Sequence, residues 1–163
     1  MAARQLSPVE VALGVSLAGC VVLSAAPAFF ANLRASRLSE PMERLTELAS
    51  RATARAAGEP VDTAYPASAP LTPSAVPRGE LTEDPPGTWD HATWRLLGFR
   101  MDVPHAYAYA FDGKNGPERS TFVATARGDL DGDGSASTFV IGGEVLRDGA
   151  PSVGPLSMHR EVE

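Results

Sequence analysis

The chain has 163 residues, a length that fits one domain, with 44% hydrophobic and 21% charged residues. Lys plus Arg number 14, 13 of them Arg, against 20 Asp plus Glu; the net charge of -6 argues against nucleic acid as a partner, because phosphate neutralisation needs clustered bases. One Cys excludes an intrachain disulfide and every multi-Cys zinc pattern, and 14 Pro with 15 Gly in so short a chain point to a linker.

The two halves differ in charge. Residues 1–57 carry six bases and four acids, hence +2, whereas residues 58–163 carry eight and sixteen, hence -8. Ser7-Pro8-Val9-Glu10 reads as a helix start, with Ser7 at the N-cap, Pro8 at the first helical position and Glu10 closing a capping box. From Val11 to Phe30 no residue is charged. At ~1.5 Å rise per residue this run spans ~30 Å, the thickness of a bilayer's hydrocarbon core, so a transmembrane segment is expected over about 9–30. Beyond it Leu38, Met42, Leu45, Leu48, Ala49 and Ala52 recur at three and four residues between Arg44, Glu47, Arg51 and Arg55, which predicts an amphipathic continuation. One helix is expected from Pro8 to about Ala57, bent at Pro27 and Pro41 and ended by Gly58-Glu59-Pro60.

Three readings of this start compete. An uncleaved signal anchor is the simplest; Arg34 and Arg37 outnumber Arg4, and that small bias alone would place the C-terminal domain in the cytoplasm. Leu17-Ala18-Gly19-Cys20 looks like a lipobox, which would make Cys20 the acylated first residue of a lipoprotein, although the chain stays apolar beyond it. Finally Glu10, Gly19 nine residues on and Pro27 eight further, inside an apolar helix, resemble the type IV pilin family, including the pseudopilins of type II secretion. That resemblance implies a leader of residues 1–5, processing by a prepilin peptidase between Gln5 and Leu6, and assembly through Glu10, Gly19 and Pro27. It also implies that Glu10 pairs in the fibre with the N-terminal ammonium of a neighbouring subunit. Without a partner Glu10 has its own first turn to cap, because a carboxylate at a bilayer edge needs compensation.

Residues 58–87 hold seven prolines, at 60, 66, 70, 73, 77, 85 and 86, and read as a Pro-rich linker or surface loop, extended and polyproline-like. Order returns at Thr88, where a globular β-rich domain over 88–163 is expected. Thr88 and Asp90 are cap candidates for a short helix that stops at Gly98, with Trp94 and Leu97 on one face. His105 to Asp112 alternates, with Tyr107, Tyr109 and Phe111 on one side; a turn around residues 112–116 and a strand from Thr121 to Arg127 complete a hairpin. A third strand is predicted over Ser137–Glu144, followed by a turn at Asp148-Gly149. So small a sheet needs a partner for its aromatic face, and the amphipathic stretch offers one. The stretch from Trp94 through Phe139 is also similar to pilin-like sequences of deltaproteobacteria.

Asp129, Asp131 and Asp133 followed by Gly134 match the first half of a calcium loop, with Ser135 as a further oxygen donor. The twelfth position, where a bidentate Glu belongs, is Val140, so an acidic turn without metal is the competing reading. His91, His105 and His159 are scattered, with no nucleophile elbow, phosphate loop or dinucleotide fingerprint, and no enzyme is expected.

The expected fold class is therefore α+β: a long N-terminal helix, transmembrane in its first half (the region over 6–57 as a whole being helical), packed on a small antiparallel sheet in the pilin-like manner. The expected function is that of a structural subunit of a type IV pilus or type II secretion pseudopilus. It would be single-pass in the bacterial inner membrane before assembly and extracellular or periplasmic afterwards, with other pilin subunits as partners and calcium as the one candidate cofactor. The alternative is a monomeric membrane-tethered binding domain, held through Cys20 or by a signal anchor.

Overall fold

A stripe of apolar residues at helical spacing organises the core. In the computed structural model, which describes residues 38–159, helix α1 occupies residues 38–56 and buries Leu45, Leu48, Ala49, Ala52 and Ala56. Their i, i+3, i+4 and i+7 spacing puts them on one face. Pro41 joins that buried face, whereas Met42 is 44% exposed, so the stripe enters the helix one residue earlier than the periodicity alone predicts. On the solvent side Glu47 pairs with Arg44 at 2.9 Å and with Arg51 at 2.5 Å.

Against this face stands an antiparallel sheet of six strands: β1 (Ala69–Thr72), β2 (Ala108–Lys114), β3 (Arg119–Gly128), β4 (Ser137–Leu146), β5 (Ser152–Val153) and β6 (Ser157–His159). The order is β1-β2-β3-β4-β5, and β6 also pairs with β4, beside Thr138–Val140, while β5 pairs beside Gly143 and Glu144. Alternation along β3 sends Ser120, Phe122, Ala124 and Ala126 inward. Tyr109 and Phe111 of β2 and Phe139, Ile141 and Val145 of β4 complete the inner face, in one core cluster with the α1 stripe.

Two corrections follow. The described protein is mostly β, one six-stranded antiparallel sheet with one substantial helix, and not the pilin-like α+β arrangement expected from the sequence. Among the described residues no helix is long and apolar enough to cross a membrane. The physical reason lies at the sheet edges: three strands would leave the long β2 and β4 as bare edges, and the chain lays short strands along them, β1 on one side and β5 and β6 on the other, so that the remaining edges are short. The predicted transmembrane segment, with the first half of the long helix, lies outside the described residues. Secondly, residues 58–87, read as a linker, contain a 3-10 turn at Val61–Thr63 and strand β1, and bury Ala64, Tyr65 and Ala69. Pro70 is tolerated because β1 is an edge strand, where a missing N–H costs no ladder bond.

A short helix, α2 (Ala92–Leu97), adds Trp94 and Leu97 to the core. Its N-cap is His91, whose side chain accepts from the Thr93 amide, rather than Thr88 or Asp90. Gly98 ends it with φ 60°, in the left-handed region, and Arg51 of α1 donates to the Leu97 and Gly98 carbonyls. Trp94 is fully buried, and its indole N–H donates to Thr72 Oγ1 at 3.0 Å. The predicted strand from His105 begins only at Ala108, because His105 is drawn into an isolated bridge with Thr82.

Candidate functional site

The connection between β3 and β4 gathers the three aspartates singled out in the sequence. Asp129 is 2% exposed, and it accepts from the Gly132 amide through Oδ1 at 2.8 Å and from the Gly134 amide through Oδ2 at 2.9 Å. Asp131 Oδ1 accepts from the Asp133 amide at 3.1 Å, and Asp133 Oδ1 from the Ser135 amide at 2.6 Å. Each carboxylate thus bends the chain back on itself, which is why Asp recurs at every second position. Gly132 and Gly134, at φ 79° and 95°, supply the left-handed turns between them. The loop is fastened to the preceding segment: the Gly79 amide donates to the Asp129 carbonyl at 2.7 Å and the Asp129 amide to the Pro77 carbonyl at 3.2 Å.

One oxygen from each of Asp129, Asp131 and Asp133 lies within 4.8 Å of the others. Three oxygens at the corners of an equilateral triangle with sides no longer than that sit at most about 2.8 Å from its centre, near the roughly 2.3–2.6 Å of calcium ligation. Hard anionic oxygens are the right donor type, and the amide bonds leave lone pairs for a cation. Two features oppose it. Val140, at the twelfth loop position, lies within β4 and pairs with Thr125 and Ser157, so it supplies no side-chain oxygen. Arg78 also places Nε 3.9 Å from Asp129 Oδ2, already partly balancing the buried carboxylate.

A second polar constellation escaped sequence reasoning. His105 is fully buried; its Nε2 lies 2.9 Å from Asp84 Oδ2, and its Nδ1 lies 2.7 Å from the Tyr107 carbonyl oxygen. A carbonyl only accepts, so Nδ1 carries a hydrogen. The Trp89 indole donates to the same Asp84 oxygen at 2.7 Å. Trp89, Trp94, Phe99 and Tyr109 pack around this group edge to face or tilted, with ring centroids 5.4–6.3 Å apart. Both imidazole nitrogens are occupied and the ring is buried, so the cluster works as a tie between the 82–89 segment and the entry to β2. A cleft of about 480 Å³ opens beside it, rimmed by Arg95, Arg100, Asp90 and Asp102. His105 and Asp84 stand 21 residues apart, and no local spacing announces their pairing.

His91 serves as the α2 cap and His159 lies exposed on β6, so the three histidines are not brought together. Gln5, Leu6, Glu10, Gly19, Cys20 and Pro27 lie outside the described residues. No protein-family model matches this chain, and neither a curated protein nor a solved structure matches it.

Proposed function

We propose that this chain is a structural subunit of the type IV pilin kind, belonging to a pilus or a type II secretion pseudopilus and assembling through its apolar residues 9–30. The observation that carries the reading is the spacing of Glu10, Gly19 and Pro27 within an uncharged run long enough to span a bilayer. In a fibre the apolar segments bundle into a core, Glu10 sets the register against a neighbouring N-terminus, and the acidic sheet unit faces solvent. The correction of the fold to mostly β concerns the part that would face solvent, not the segment that would assemble. Before assembly the subunit resides in the inner membrane, and a prepilin peptidase is its processing partner.

Mass spectrometry of the N-terminal peptide from native membranes or shed fibres tests this. A mature start at Leu6 supports processing and assembly, whereas diacylglyceryl Cys20 or an intact Met1 overturns it. Glu10→Ala gives a second test, since a fibre subunit fails to assemble and a tethered monomer is unaffected. The second reading, a membrane-tethered monomer that holds calcium, draws on the convergence of Asp129, Asp131 and Asp133.

A further inference from the structure

The turn between β2 and β3 carries Asn115-Gly116, and its side chains hold the 61–66 segment down. The Tyr65 amide donates to Asn115 Oδ1 at 3.0 Å, and Asn115 Nδ2 donates to the Tyr65 carbonyl at 2.7 Å, so the carboxamide pairs with both backbone groups of one residue as a neighbouring strand would. Next to it the Gly116 amide donates to Ser120 Oγ at 3.1 Å, and the Ser120 hydroxyl donates to the Val61 carbonyl. The Pro66 carbonyl lies directly over Gly113, where a Cβ would come within 2.1 Å of it, and the Tyr65 ring packs on Phe122 with centroids 5.0 Å apart. One clamp therefore uses all three polar groups that take part in asparagine ring closure: the Asn115 carbonyl oxygen, its amide nitrogen and the Gly116 N–H.

We propose that Asn115 is a conformationally gated deamidation site, silent while the 61–66 segment is seated and reactive when it lifts. In the reaction the Gly116 nitrogen gives its proton to solvent base and attacks Asn115 Cγ. The new N–C bond closes a succinimide, the Cγ–Nδ2 bond breaks, and the nitrogen leaves as ammonia with a proton returned from solvent. Water then opens either ring carbonyl, leaving aspartate or isoaspartate at 115 without any change of oxidation state. Glycine is the following residue that hinders the attack least, because it has no side chain. In the seated state the Gly116 N–H is held by Ser120, and Cγ is held in the plane of the pairing with Tyr65; the hydrogen bonds must open together before the ring can close. Three ordinary hydrogen bonds broken at once correspond to a suppression of about a hundred-fold. The product cannot reseat as before, since a carboxylate at 115 has no N–H for the Tyr65 carbonyl and sets a negative charge against it. The fraction of chains so altered therefore records the time the 61–66 segment has spent lifted.

The full-length protein is incubated at mildly alkaline pH, folded and in parallel in urea, and the peptide containing 115 is followed by mass spectrometry and isoaspartate methylation. The folded chain is expected to deamidate at Asn115 at least about ten-fold more slowly than the unfolded one, the protection growing with the stability of the clamp. A smaller ratio overturns the proposal. Asn115→Asp, the product itself, is expected to lower the thermal midpoint by several degrees, and a midpoint equal to that of the parent chain overturns the clamp.

Discussion

Glu40 is the residue through which the seating of α1 on the sheet is most directly measured. Its Oε2 accepts from the Ala106 amide and its Oε1 from the Tyr109 hydroxyl, both at 3.0 Å, and both donors belong to buried residues. Glu40→Ala removes both acceptors and leaves two donors without partners. An orphaned buried donor costs about 1–3 kcal/mol, so a loss of about 2–4 kcal/mol is expected if water partly refills the space. At roughly 4 °C per kcal/mol for a unit of this size, the thermal midpoint falls by about 8–16 °C. Glu40→Gln costs about 1 kcal/mol or less, because the amide oxygen still accepts from Ala106 while its NH2 donates to the phenol oxygen. Adding Tyr109→Phe to Glu40→Ala removes one of the orphans, so the double variant is more stable than the sum of the single losses by about 1–2 kcal/mol. Urea unfolding followed by the fluorescence of Trp89 and Trp94 supplies all four corners of the cycle. Strict additivity, or a Glu40→Ala midpoint within a degree or two of the parent, would refute this account of how the helix is held.

The same pair has an alkaline signature. Burial, and after it the Glu40 carboxylate, push the Tyr109 phenol far above its ordinary value, so the folded state favours the neutral form; its contribution is complete below pH about 10 and is lost above it at about 1.4 kcal/mol per pH unit. Tyr109→Phe should flatten the fall of stability with pH in that range by this amount, and equal slopes in urea titrations would count against it. Gly113→Ala is expected to cost more than about 3 kcal/mol, since the new Cβ meets the Pro66 backbone oxygen at 2.1 Å and backbone cannot swing aside. Gly98→Ala should cost less, about 2 kcal/mol, because the obstacle at 2.8 Å is the end of the Arg51 side chain, which can withdraw at the loss of its bonds to the Leu97 and Gly98 carbonyls, and the remainder is the left-handed φ; an equal loss at the two glycines, read by chemical denaturation, contradicts the distinction. If the aspartate loop takes calcium, the thermal midpoint rises with millimolar calcium, by about 2.7 kcal/mol equivalent at a hundred times Kd, and Asp131→Asn abolishes the rise with little loss of stability in chelator. Asp129→Asn instead destabilises the chain with or without the ion, as one of its carboxylate oxygens becomes a donor facing the Gly132 or Gly134 amide.

What was legible in the sequence was whatever repeats locally. The three- and four-residue spacing of Leu45, Leu48, Ala49 and Ala52 foretold the buried face of α1, and the alternation of Tyr109 and Phe111 foretold the inward side of β2, with Tyr107 buried just before the strand begins. Periodicity misplaced Met42, because it has no means of knowing that Pro41 turns inward where the helix meets the sheet. Strand β1 was hidden behind Pro70 and Pro73, residues that argue against a strand everywhere except at an edge. Strands β5 and β6 are two and three residues long and exposed, too short to display any period. These three strands changed the balance of the described protein from helix packed on a small sheet to mostly β.

The polar sites divide along the same line. Asp129, Asp131, Asp133 and Gly134 are visible as a motif because the turn that uses them is local, but the motif does not distinguish a carboxylate aimed at a cation from one spent on its own backbone. Asp129 is spent in that way: buried, it accepts from two amides of its own loop and balances against Arg78, so the turn stands without an ion. Asp131 and Asp133 are exposed and each has only one oxygen committed to an amide, and on them any affinity for calcium must chiefly rest. Glu40 with Tyr109, 69 residues apart, Asn115 with Tyr65, 50 apart, and His105 with Asp84 are the opposite case. Each joins a polar side chain to a distant backbone group or side chain and is specified only by the completed sheet; Glu40 and Asn115 in addition pair backbone groups, those of Ala106 and Tyr65, as a neighbouring strand would. Buried polar groups of this kind are worth little when paired and cost much when orphaned. They therefore fix how α1, the 61–66 segment and the 82–89 segment sit on the sheet more sharply than the apolar core does, and substitutions there should disturb that arrangement before they reduce the core.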